Sequence, residues 1–176
     1  MIRTFAALVV AALAAGTSLA DSYKLTGENT TVTFVGSKPD GKHTGGFKTL
    51  AGTAEVADGA LKGLEVTIQC DSIHSDDVKL TGHLKSPDFF NVKEHGTAVV
   101  KVTKVEKTAA GYMLSGELTM CGKTGPFEMP ATVSVKDGTL TIASDFKIDR
   151  TKWGMTYGKG KINDEVAMKV VVTAKK

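Results

Sequence analysis

The side chains able to do chemistry are few and scattered. Four histidines, His43, His74, His83 and His95, and two cysteines, Cys70 and Cys121, are the only imidazole and thiol groups in the chain. No histidine stands at zinc-type spacing from another histidine or from a cysteine, so no metal site is expected. The Gly-x-Ser-x-Gly elbow, the His-Glu-x-x-His pair and the phosphate loop are absent from the sequence, and no cofactor is implied. Acid–base chemistry would require His43 or His83 to meet Asp88, Asp149 or Asp164 inside a pocket, as in a hydrolase or an isomerase. His43 falls in Gly41-Lys42-His43-Thr44-Gly45-Gly46, which reads as a flexible loop.

The pair Asp149-Arg150, followed by Thr151-Lys152-Trp153-Gly154-Met155, offers another kind of chemistry. An arginine at a strand end can pair with a carboxylate such as Asp149 or Asp145 and fix the sheet's closure, or present its planar fork to an anionic head group. The first role is the simpler one. Trp153, the sole tryptophan, is expected to pack near the mouth of whatever the strands enclose. Cys70 shares phase with Leu64, Val66 and Ile68, whereas Cys121 shares phase with Ser115, Glu117 and Thr119, so one should point inward and the other outward. A disulfide between them would need a bulge.

The elements that must position these groups are strands. From Tyr23 onward the dominant pattern is alternation with period two, the mark of one dry and one wet face. Val166, Met168, Val170, Val172 and Ala174 share one face, as do Leu140, Ile142, Ser144, Phe146 and Ile148, and Phe127, Met129, Ala131, Val133 and Val135. Together with runs at residues 31–36, 47–56, 64–70, 98–107 and 112–121, this predicts eight strands. Tight turn signals at Asp58-Gly59, Ala110-Gly111, Gly122 to Pro126 and Lys136-Asp137-Gly138 require antiparallel neighbours. Residues 76–85 break the pattern and read as one short helix between strands, ended by Ser86-Pro87; Pro87 to Phe90 then forms a turn that presses two rings against the body.

Eight antiparallel strands are enough to close an all-β barrel whose bore holds either side chains or one slim ligand. Its lining is expected from Phe34, Leu64, Val66, Ile68, Leu114, Leu118, Met129, Phe146 and Met168. Small inward residues, Ala51, Ala98, Gly116, Ala131 and Ser144, would leave a tunnel if they cluster and would only fit the taper of a filled barrel if they interleave with large ones.

The N-terminus has a separate purpose. Arg3, an apolar run from Phe5 to Ala15 and Ser18-Leu19-Ala20 describe a signal peptide over residues 1–20, cut after Ala20 and leaving a single domain over residues 21–176. The run is shorter than the roughly 20 residues of a bilayer crossing, so the mature chain should have no transmembrane span. The net charge of +3 falls by one, to +2, when Arg3 is removed, too little to imply nucleic acid.

The sequence also resembles a known family. The order Gly45-Gly46-Phe47, Leu50-Ala51-Gly52-Thr53, Gly82-His83-Leu84-Lys85-Ser86-Pro87-Asp88-Phe89-Phe90 and Phe146-Lys147-Ile148-Asp149-Arg150-Thr151-Lys152-Trp153-Gly154 is similar to the YceI-like family of exported polyisoprenoid-binding proteins. The resemblance implies a lipocalin-like barrel in the periplasm or outside the cell, with an isoprenoid lipid or quinone as its partner and no catalytic residues. It draws attention to His83, Phe89, Phe90, Arg150 and Trp153 as mouth or head-group residues. The chain departs from the family at Thr81, where many members carry an acid, and at Cys121, where many carry a base. The alternative is a stress-related or partner-binding barrel with a filled core. Whether two barrels associate as a homodimer is left open.

Overall fold

The computed structural model describes residues 20–176, so the signal-peptide reading of the first residues lies outside the described part of the chain. Eleven antiparallel strands form one curled sheet in the order β1-β4-β5-β7-β8-β9-β10-β11-β2-β3-β6. They are β1 (Asp21–Thr26), β2 (Thr30–Lys38), β3 (Gly41–Phe47), β4 (Leu50–Ala57), β5 (Ala60–Gln69), β6 (Ile73–Ser75), β7 (Thr97–Thr108), β8 (Gly111–Met120), β9 (Lys123–Lys136), β10 (Thr139–Asp149) and β11 (Glu165–Lys175). Among the described residues no helix is long and apolar enough to cross a membrane.

The expected all-β barrel is present, but its strand count is eleven rather than eight. Two of the additional strands, β1 and β6, are short and carry too few alternating residues to stand out. The third, β3, contains His43 and corrects its assignment to a loop. This glycine-rich segment has almost no strand preference of its own and is held by pairing with β2 on one side and β6 on the other.

The predicted strand at residues 47–56 is really the end of β3 and the start of β4, with a corner at Lys48 and Thr49. The corner is laced by Thr49 N–H donating to Ser72 Oγ at 3.0 Å and Gln69 N–H donating to Thr49 O at 3.0 Å. It also inverts the side-chain phase, so Leu50, Ala54 and Val56 are buried and Ala51, expected inside, is exposed. Elsewhere the phases hold: Leu140, Ile142, Val172 and Ala174 are almost fully buried.

Three hairpins turn on two-residue loops in which both residues have positive φ: Asp58-Gly59, Cys121-Gly122 and Asp137-Gly138. These mirror-image turns match the twist of the strands they join. Cys121 thus belongs to the β8–β9 turn rather than to the outer face of a strand; its thiol lies 3.6 Å from Phe89 O, while Cys70 is buried, and both thiols are free. Burial pushes the Cys70 thiol up to about 12 and that of Cys121 up to about 11.

The expected helix is α1 (Val78–Leu84), shorter than residues 76–85 because Asp77 caps it, its carboxylate accepting from Leu80 N–H at 2.7 Å. Beyond it, Phe89 and Phe90 are buried in the turn that follows Pro87.

Candidate functional site

The bore of the barrel is not filled. A cavity of about 240 Å³ runs between the two halves of the sheet, with walls that are almost wholly hydrocarbon. Its floor is made by Leu25, Thr30, Ile142 and Val172; of these only Thr30 carries a polar side chain, and Asn29 Oδ1 accepts its hydroxyl at 3.0 Å. The middle is lined by Val66, Met129, Phe146, Met168 and their neighbours. The remaining polar lining residues, Ser37, Lys38, His43, Arg150 and Asn163, gather at the opposite end, where the β2–β3 hairpin meets residues 154–164 and α1.

Eight of the nine expected lining residues, Phe34, Leu64, Val66, Ile68, Leu118, Met129, Phe146 and Met168, face the cavity. Leu114 does not; it is fully buried in the core, although its cross-strand partner Met129 lines the cavity. Several lining residues escaped the sequence reading. Leu25 lies on β1, a strand too short for its alternation to stand out, and Leu80 and Leu84 form an i, i+4 pair on the inner face of α1. Val166, Val170 and Val172 share phase with Met168, and that signal was available.

The five residues expected at the mouth divide by role. Phe89 and Phe90 line the cavity, and Phe90 continues inward through an edge-on contact with Phe47, 5.6 Å between ring centres. His83 stands just outside the wall, its Nε2 2.7 Å from Asp88 and its ring edge-on to Phe89 and Tyr157 at 5.0 and 4.8 Å. It ties α1 to the loop that follows β10. Trp153 is buried behind the wall rather than at the opening, its Nε1–H donating to Leu118 O at 2.9 Å. The short 3-10 turn Arg150–Trp153 after β10 carries the ring back over β8.

Arg150 is buried, and its donors are used. Nε donates to Asn163 O, Nη1 to Met155 O and Tyr157 O, and Nη2 to Ile162 O and Asp164 Oδ1, at 2.6 to 3.3 Å. A guanidinium has five N–H groups, so none is left to hold a head group. The carboxylate it meets is Asp164 rather than Asp149 or Asp145, and instead of closing the sheet Arg150 fixes the loop at residues 154–164 as one wall of the mouth. Asp149 helps by accepting from Thr151 Oγ1 and Thr151 N–H, contacts that hold its carboxyl below the usual range.

His43 is one of the polar groups that line the mouth. Its Nδ1 lies 2.8 Å from Asp76 Oδ1, and the other carboxylate oxygen accepts from Thr44 N–H at 2.9 Å and Thr44 Oγ1 at 3.2 Å. The Thr44 amide, aided by His43, holds the Asp76 carboxyl below its ordinary value. An ionised carboxylate can only accept, so with Asp76 ionised the proton between the two lies on His43 Nδ1. Both histidine–aspartate pairs lie at the exposed rim rather than in the enclosed bore, with side chains 37 to 48% accessible. The Thr81 hydroxyl is used locally, accepting from Ser75 N–H at 2.9 Å and donating to Asp77 O at 3.0 Å.

With this geometry in place, comparison with known proteins is direct. The model of the YceI-like domain matches residues 23–174. Among curated proteins the chain is similar to a UPF0312 protein of Ectopseudomonas mendocina, 35% identical over 69 residues, 39% of this chain and 36% of that protein. It is also similar to a UPF0312 protein of Serratia proteamaculans, 33% identical over 89 residues, 49% of this chain and 46% of that one. The matched stretches span less than half of those relatives.

Among solved structures, BcnA of Burkholderia cenocepacia superposes with a TM-score of 0.74 at 22% identity, covering 83% of this chain and 96% of that one. A polyisoprenoid binding domain from Saccharophagus degradans superposes with a TM-score of 0.67 at 15% identity, covering 88% and 97%. At these identities the superpositions establish a shared fold.

Proposed function

The chain belongs to the YceI-like family, and from that premise we propose that it binds a long apolar isoprenoid chain in its bore, as an exported carrier rather than an enzyme. The observation that carries this reading is the separation of the cavity into a hydrocarbon shaft and one polar end. A chain-like lipid with a polar head has the same division. Each methylene removed from water contributes about 0.8 kcal/mol, so a few isoprene units bind usefully without a strong anchor. Met129, Met168 and Met155 in the lining adapt their shape to a flexible ligand at little cost.

The fold shared with a polyisoprenoid binding domain supports the choice of ligand class. At the polar end the presence of His43 and Lys38 in the lining supports a quinone carbonyl or a polyprenyl phosphate as the head group. The signal-like residues 1–20 support export. Native mass spectrometry of protein purified from its own host, followed by organic extraction, tests the reading. An apolar adduct that solvent releases is expected. Apoprotein alone, together with no uptake of a prenylated quinone or a polyprenyl phosphate from detergent, overturns it.

A further inference from the structure

We propose that the mouth of the barrel docks on the surface of an anionic lipid bilayer, Val78 and Tyr157 entering the head-group layer while the lysines around them face lipid phosphate. The inference rests on the lipid-binding reading, since a prenyl chain passing straight from bilayer to bore would never cross water.

The first observation is where apolar surface is exposed. Among the described residues three large hydrophobic side chains stand out into solvent: Val78 at 89%, Tyr157 at 46% and Val171 at 36%. Two of the three are on the segments that form the mouth. Helix α1 lines the cavity through Leu80 and Leu84, and residues 154–164 line it through Met155 and Ile162. At about 100° per residue, Leu80 and Leu84 fall close together on the helix while Val78 lies on the opposite side. That outer side also carries Gly82, where an added Cβ would meet nothing within 4 Å, and Lys85. The short helix is thus amphipathic, with its inner face in the cavity and its outer face bare.

The second observation is charge. Lys38, Lys42, Lys79, Lys159 and Lys161 are exposed around the mouth, and none makes an ion pair among the described residues. On the barrel wall Lys101, Lys104, Lys147 and Lys169 each meet a carboxylate, while Lys24, Lys107 and Lys136 form no ion pair among the described residues, so what marks the mouth is five unpaired lysines gathered at one end. The acids at the mouth are engaged from within. Asp76 holds His43 and Thr44, Asp77 caps α1, Asp88 holds His83 and Asp164 holds Arg150. Asp40, at the tip of the β2–β3 hairpin, is the remaining one. The groups free to reorganise toward a surface are therefore mainly ammonium groups, which complement lipid phosphate, and a lysine near such a surface contributes about fivefold to partitioning.

Co-sedimentation of the purified protein with vesicles tests this. The wild type is expected to bind vesicles of phosphatidylcholine mixed with phosphatidylglycerol, to lose them in high salt, and to ignore phosphatidylcholine alone. Val78→Asp and Lys79→Glu should each lower binding by about fivefold or more. Lys136→Glu, at the far end beside the β9–β10 turn, should leave it unchanged. The rim variants should also slow ligand transfer between protein and vesicles while leaving uptake from detergent as in wild type. Absence of vesicle binding, or equal loss with Lys136→Glu, overturns docking. A wild type that binds vesicles yet takes up no isoprenoid from detergent would instead overturn the ligand reading.

Discussion

The ring of Phe34 occupies the space that a side chain on Gly45 would need. The two residues face each other across the β2–β3 pair, and a Cβ on Gly45 would also run into the carbonyl oxygen of His74 on β6. Phe34 in turn packs on Phe47 at 6.2 Å and faces the cavity, so one absent side chain sets the position of an aromatic wall.

Gly45→Ala should therefore destabilise the protein by about 1–3 kcal/mol, the usual cost of forcing extra atoms into a packed site. Gly36→Ala, on the neighbouring strand with nothing within 4 Å of its Cβ, should be near neutral. Urea unfolding midpoints of the two variants check the contrast.

Filling the bore should compete with the ligand. Ala98 lines the cavity on β7 and is nearly fully buried, and Ala98→Phe would place a ring where about one isoprene unit would lie. The loss of two or more methylenes of burial corresponds to about tenfold weaker binding. Titration with a prenylated quinone, beside circular dichroism showing an intact barrel, measures it.

Arg150 should prove structural. Arg150→Ala leaves four carbonyl oxygens of residues 155–163 and Asp164 without their donor, and should cost about 3–5 kcal/mol. Arg150→Lys should recover little, because a point-like ammonium cannot reach five acceptors in different directions. Thermal unfolding gives the cost, and amide exchange across residues 154–164 should quicken first.

The tie between β3 and the start of α1 should fail in acid. Asp76 has its carboxyl lowered from 3.8 in the fold, so the folded state binds this proton less readily than the unfolded chain. Its stabilisation is fully present above that ordinary value and is lost as pH falls through the lowered one. The difference in urea midpoint between wild type and Asp76→Asn should be constant near neutral pH and shrink below pH 3.8. A difference that persists at lower pH would show that the ionised carboxylate is not what holds His43 and Thr44.

Much of the architecture was legible because side chains on a strand alternate strictly. Residues 140–148 and 166–174 announced their buried faces, and eight of nine named lining residues stand on the cavity wall. Asp77, Pro87 and the aspartate–glycine turns are local devices whose effect does not depend on the rest of the chain. By itself the sequence determined the class of fold, the position of its helix and most of the inward faces.

Only the tertiary structure decided the rest. β3 exists because β2 and β6 hold it, not because glycines prefer to be extended, and the corner at Lys48 and Thr49 turned Ala51 outward by shifting the phase of one strand. Arg150 became the anchor of a loop only when residues 155–164 folded back to bring four carbonyls and Asp164 around its guanidinium, and Leu114 is fully buried away from the cavity wall. Whether the bore was open depended on how eleven strands were registered and curled, since empty space belongs to no residue and is left over only when all of them have been placed.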